Sequence, residues 1–225
     1  MRTSTASRSV LIPMAVLLTG AIGLSSVAFA KEDAQQTAGA AMEAETLQHF
    51  QALLRIDTSS PPGNETRAVE YLQQVFEKVG VPYQIFAKNP ARANIVARLK
   101  GNGKKRPILI LGHTDVVTVD PAKWTHPPFG ADRDGGYIYG RGTVDDKDNL
   151  VAGLMVLPTM GTGATDMAQI RSKGIQCYGI GPALDSEDSG KGFGAHSDQE
   201  RILESELHRF VRFQYDVVLE LARAR

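Results

Sequence analysis

The sequence predicts an α/β fold of three layers, a mainly parallel sheet flanked by helices. Three observations carry that prediction. Two early segments have apolar residues at helical spacing, short β-rich runs follow them and end in Ile108-Leu109-Ile110-Leu111, and a further apolar helix lies beyond. Helix, strands and helix in that order give helices laid on a sheet. An unbroken apolar strand is the kind such a sheet covers on both faces.

The chain opens on a secretory pattern. Arg2 and Arg8 form a positive leader, residues 10–24 are apolar and uncharged, and Ala28-Phe29-Ala30 puts small residues at the two positions a signal peptidase reads. The run is short for a bilayer span and contains Pro13, Gly20 and Gly23, so cleavage after Ala30 is expected rather than a membrane anchor. The exported protein would be periplasmic or secreted. Removing 30 of 225 residues leaves 195, enough for one domain with a real core. The leader holds two of the 25 basic residues, so the remainder carries 23 against 25 acidic ones. That balance argues against a nucleic-acid partner or strong attraction to anionic lipid. Cys177 is the only cysteine, so no internal disulfide forms, and stability must come from packing or bound metal.

Residues 31–42 are small and polar and read as a flexible lead-in to a single domain, residues 43–225. Within 43–55, Leu47, Phe50, Leu53 and Leu54 fall at helical spacing. Ser59-Ser60-Pro61-Pro62-Gly63 breaks the chain. A second helix is expected from an Asn64 cap to Gly80, with Val69, Leu72, Val75, Phe76 and Val79 inward. Residues 83–87 and 94–99 read as strands, separated from the apolar run at 108–111 by the turn Gly101-Asn102-Gly103. Asn149 to Leu157 reads as an apolar helix, and residues 201–222 as a terminal amphipathic one.

The chemistry begins where the buried strand ends. Gly112-His113-Thr114-Asp115 follows Leu111 directly, and ligand sites of open α/β sheets lie beyond the carboxyl ends of strands. His113 reads either as a metal ligand or as an ordinary loop histidine. Asp115, two residues on, can point to the same side and accept the second imidazole N–H, which would fix the tautomer. A second cluster is Tyr139-Gly140-Arg141-Gly142-Thr143-Val144-Asp145-Asp146-Lys147. Asp145 precedes the apolar helix, where partial positive charge favours a carboxylate. Its two oxygens can bridge two cations, though helix capping alone also accounts for an aspartate there.

Taken together the clusters are far more specific. Residues 112–117, Trp124-Thr125-His126-Pro127-Pro128-Phe129 and residues 134–147 resemble, in order and spacing, the dinuclear zinc exopeptidases and deacylases. That family includes glutamate carboxypeptidase, aminoacylase, carnosine dipeptidases, acetylornithine deacetylase and succinyl-diaminopimelate desuccinylase. The resemblance implies that His113 is a ligand of one zinc, that Asp115 is the catalytic-site aspartate orienting it, and that Asp145 is a bridging carboxylate followed by a cis peptide bond to Asp146. It continues through residues 158–168, which resemble the late glycine-rich loop, and 175–182, which resemble the following strand. In Gly194-Ala195-His196-Ser197-Asp198-Gln199-Glu200-Arg201 it implies that His196 is the ligand of the other metal. His126 and His208 match no family ligand, and Cys177 reads as a small core residue. Asp148 stands where the family has glycine.

The departures decide more than the matches. The family has a strand ending in a Glu-Glu pair, the general base and a ligand, then an inserted lid and dimerisation domain; here Leu157 joins Pro158, and no Glu-Glu pair occurs anywhere. The chain thus reads as an internally truncated member, with residues 43–157 and 158–225 as the two parts of an incomplete catalytic domain. Zinc hydrolases use about three protein ligands and an open position per metal. His113, Asp145 and His196 fall short for two ions but could hold one in a two-histidine, one-carboxylate arrangement. Asp185, Glu187 and Asp188 resemble an acidic loop that the family already has, so they do not read as a replacement base. The implied activity is metal-dependent hydrolysis of peptide or N-acyl amide bonds in small substrates, impaired by what is missing. The alternatives are a non-catalytic metal-binding remnant or the truncated product of a longer gene.

Overall fold

The computed structural model describes residues 21–101, 107–156, 188 and 191–223. The chain divides into two compact units, Met1–Ala41 and Met42–Arg225. The described part of the first is helical and belongs to α1 (Ala21–Leu54). Residues 31–42, expected to be flexible, lie within that helix; alanines at 34, 38, 40 and 41 give them good helix propensity. Among the described residues no helix is long and apolar enough to cross a membrane.

In the second unit the elements follow as β1 (Ser59–Ser60), α2 (Glu65–Val79), β2 (Tyr83–Phe86), β3 (Asn94–Ala97), β4 (Val116–Val117), β5 (Asp132–Asp134), β6 (Tyr137–Tyr139), α3 (Lys147–Val156), β7 (Arg201–Leu203) and α4 (Glu204–Ala222). Helices and small mixed sheets make an α/β fold, the class the sequence predicts. Phe50, Leu53 and Leu54 of α1, Leu72 and Phe76 of α2, Ile95 of β3, Ile138 of β6, Leu150 and Val151 of α3, and Leu207 of α4 form one core. Helical spacing had marked most of these positions in α1 and α2. Val79 is the exception and is exposed. Gly80 ends α2 in the left-handed conformation, as expected, whereas the Asn64 side chain makes no capping bond.

The pairing departs from expectation. Among the described residues only β1 and β4 pair in parallel, Ser59 opposite Val116. Strands β2 and β3 are antiparallel, and so is the β5-β6-β7 sheet. Residues 107–111 form no strand, and Ile108 and Leu109 are 41% and 55% exposed. An apolar run becomes a buried strand only when neighbours supply its ladder and layers cover its faces. No described strand does so here. At the other end, residues 201–203 pair with β6 as a strand instead of opening the terminal helix. The glycine-rich loop at 158–168, the strand at 175–182, Cys177, Asp185 and Glu187 lie outside the described residues.

Candidate metal centre

The segment carrying His113 is held from two sides. Thr58 Oγ1 donates to the Thr114 carbonyl at 2.5 Å, and the Val116 N–H donates to the Thr58 carbonyl at 3.2 Å. Behind it, the His113 N–H donates to Asp146 Oδ2 at 2.9 Å. Gly112 makes that approach possible, since a Cβ there would meet the same Asp146 oxygen at 2.9 Å.

The imidazole of His113 is buried between carboxylates. Its Nδ1 lies 3.0 Å from the Asp115 carbonyl oxygen and 3.2 Å from Asp115 Oδ1, and its Nε2 lies 2.9 Å from Asp145 Oδ1. Burial works against a charge on this ring, yet the hydrogen bonds to Asp115 and Asp145 outweigh it, and the pKa rises to about 10. The same contact with His113 holds Asp145 below the usual carboxylate range, with further help from His196. Without metal the ring is therefore a cation at neutral pH. A cation that binds Nε2 must displace that proton.

Asp145 is the centre of the arrangement. Its other oxygen, Oδ2, lies 2.5 Å from Nε2 of His196. One carboxylate therefore faces two imidazole nitrogens, one per oxygen, from residues 32 and 51 positions away in the chain. The peptide bond from Asp145 to Asp146 is cis, as the resemblance implies. His113, Asp145 and Asp146 each present a ligand atom, all within 4.8 Å of one another. The sequence reading missed Asp146 as a potential donor because it looks like the spare half of an acidic pair. Its oxygens are already engaged by the His113 N–H and the Asn149 amide, and burial raises its pKa.

The other expected residues fall into place around this group. His126 stacks on Tyr139 with ring centroids 3.9 Å apart and faces Asp132, while His208 pairs with Glu204 in α4. Neither belongs to the cluster. Asp188 is clamped by Arg201 Nε and Nη2 at 2.9 and 2.5 Å, so it serves as an anchor rather than as a free base. Trp124 and Phe129, part of the resemblance, lie over buried cations: Arg141 Cζ is 5.2 Å from the indole and Lys147 Nζ 5.9 Å from the phenyl ring. Burial pushes Lys147 down to about 7, and its Nζ donates to the Ile56 carbonyl at 2.9 Å. Gly142, at φ 93°, lets the turn pass where a Cβ would meet Val116 Cγ1 at 2.9 Å.

Among the described residues the donors that converge are His113, Asp145 and Asp146; His196 lies outside that group and meets it only at Asp145 Oδ2. An imidazole nitrogen and carboxylate oxygens are donors a divalent cation accepts, and Asp115 takes the second ring nitrogen of His113, as the outer partner of a metal-bound histidine does.

Known proteins match part of the chain. Residues 109–162 match the sequence profile of peptidase family M20/M25/M40. A probable succinyl-diaminopimelate desuccinylase of Staphylococcus aureus is 39% identical over 117 residues, covering 51% of this chain and 28% of that protein. An N-formyl-4-amino-5-aminomethyl-2-methylpyrimidine deformylase of Halalkalibacterium halodurans is 37% identical over 120 residues, covering 52% and 28%. Among solved structures, an M20 family metallo-carboxypeptidase of Sulfolobus solfataricus aligns with a TM-score of 0.46 at 29% identity, over 51% of this chain and 26% of that one. The chain thus spans little more than a quarter of the length of these relatives. Within residues 109–162, which contain both His113 and Asp145, the chain is similar to the M20/M25/M40 peptidases.

Proposed function

We propose that the protein binds one zinc ion through His113, Asp145 and His196 and descends from hydrolases of peptide or N-acyl amide bonds. The observation that supports this most is the two-sided contact of Asp145, with one imidazole Nε2 at each oxygen. Bound zinc would supply Lewis-acid polarisation of an amide carbonyl and a lower pKa for water. Asp115 holds the tautomer of His113, and Asp146 holds its backbone. The sequence has no Glu-Glu pair to supply the general base. Loss of a general base lowers rates by about 10²–10⁴-fold, so amide hydrolysis is weak at best. The names of the relatives, a desuccinylase and a deformylase, make small N-acyl compounds the substrates to try first.

The absence of the acidic pair equally favours a second reading, a metal-binding chain with no hydrolytic turnover. Zinc content and hydrolysis of N-succinyl and N-formyl amino acids, measured on the same purified sample, separate the two. Zinc uptake with slow hydrolysis that His113→Ala abolishes supports the enzyme. Zinc uptake with no hydrolysis above a zinc-free control supports the second reading, and no zinc uptake overturns both. The leader of Arg2, Arg8 and residues 10–30 further supports export to the periplasm or beyond, where the exported protein should begin at Lys31 by N-terminal sequencing. Recovery of the uncleaved chain from the cytoplasm would contradict this.

A further inference from the structure

The side chain of His196 is 58% exposed, and its backbone φ of 69° lies in the left-handed region that non-glycine residues seldom occupy. Within its loop the Ser197 N–H donates to the Gly194 carbonyl and the Gln199 N–H to Ser197 Oγ, and at the exposed surface Gln199 Nε2 donates to the Lys123 carbonyl at 2.9 Å while Gln199 Oε1 accepts from Thr125 Oγ1 at 2.7 Å. A longer connection runs through the interior. Arg141 Nη1 donates to Glu200 Oε2 at 2.6 Å, and Nη2 donates to the His196 carbonyl at 3.5 Å. The remaining oxygen of Glu200, Oε1, accepts the N–H of Val144 at 3.1 Å. Val144 immediately precedes Asp145. The two side chains are 2% and 0% exposed.

A buried ion pair gives no net stability that well-packed apolar groups could not give. This one has a particular placement. Each partner uses a further hydrogen bond on one of the two backbone segments that meet at the site, Arg141 on the His196 side and Glu200 on the Asp145 side. The Arg201 clamp on Asp188 touches neither segment at those residues.

We infer that the buried Arg141–Glu200 pair positions the site, setting His196 against Asp145 so that the second imidazole is in place before any metal arrives. The inference rests on the reading of His113, Asp145 and His196 as a donor set, but the contact it explains is present without metal. Arg141 and Glu200 are positioning residues, Arg141 acting through His196 and Glu200 through the backbone next to Asp145.

The test uses the full chain, Arg141→Lys and Glu200→Gln. Lysine keeps the charge next to Glu200 but cannot also reach the His196 carbonyl; glutamine keeps the shape and the acceptor for Val144. Outer-shell changes of this kind weaken metal binding by about 10–100-fold, and a zinc titration should show that loss. In zinc-free protein, the imidazole ¹⁵N shifts of His196, assigned by their absence in His196→Ala, should lose the signature of a hydrogen-bonded Nε2. In a His196→Ala background, Arg141→Lys should cause no further loss of affinity. Wild-type affinity with unmoved His196 shifts overturns the inference. So does an equal loss with and without His196, because Arg141 would then act on the fold at large. If the wild-type chain takes up no zinc, the donor-set reading fails, and the ¹⁵N shifts alone decide the positioning role. If Arg141→Lys does not fold by circular dichroism, Glu200→Gln answers the same questions.

Discussion

His113 and Asp148 both have protonation states shifted from the ordinary, and both make predictions. With its pKa raised to about 10 from an ordinary 6.5, His113 in the metal-free protein holds a proton that the unfolded chain gives up near neutrality. Its contribution to stability is complete below pH 6.5 and disappears as pH rises through 10. Zinc must expel that proton, so calorimetry at pH 8 in buffers of different ionisation enthalpy should show about one proton released per zinc; no release would mean that zinc binds elsewhere. Asp148 is fully buried, and its carboxylate meets no partner beyond strained approaches to the N–H groups of its own residue and Asn149. Burial raises its pKa well above the carboxylate range. A carboxyl raised in the fold costs stability as pH climbs above its unfolded pKa. Asp148→Ala should therefore stabilise the protein at pH 7 by about 1–3 kcal/mol, the cost of an unsatisfied buried polar group, and by less at pH 4. Urea denaturation measures this, and a destabilised variant would reveal a partner for the carboxyl. The sequence marked His113, Asp115 and Asp145 because motif spacing is local information. It gave no sign that Asp148 would be orphaned, since that depends on which residues surround it in space.

At the scale of elements, periodicity found the helices and missed much of the pairing. The inward positions of α1 and α2 follow from apolar groups three and four apart, a signal each helix carries within itself. A strand carries no such guarantee. Ile108–Leu111 has the right composition, but no described neighbour completes it. Ile202 and Leu203 fit a helix or a strand equally, and the sheet edge at β6 decides for the strand. The hairpin between β5 and β6 was legible and overlooked: Gly135-Gly136, at φ 57° and 83°, is a standard two-residue turn signal. The turn between β6 and α3 makes the sharpest prediction. Gly142→Ala would place a Cβ 2.9 Å from Val116 Cγ1 and 3.1 Å from Lys147 Cδ, at a φ of 93°. It should lower stability by about 1–3 kcal/mol, read by thermal melting; a variant as stable as the wild type would show that the turn has another conformation open to it.

At the scale of the molecule, the site joins residues that the chain keeps far apart, at 113, 145 and 196. The resemblance read from the sequence supplied the expectation that they meet, whereas the buried strand expected at 108–111 did not form. What the sequence left open was whether a chain without that strand still brings Asp145 between the two histidines, because this depends on packing across the gap. The most direct test is a zinc titration of the metal-free protein followed by calorimetry and by thermal melting. The account predicts one saturable site per chain, abolished by Asp145→Ala, and at a free zinc concentration of 100 Kd a stabilisation of about 2.7 kcal/mol. No binding heat and no rise in melting temperature, or binding that survives Asp145→Ala, would contradict it.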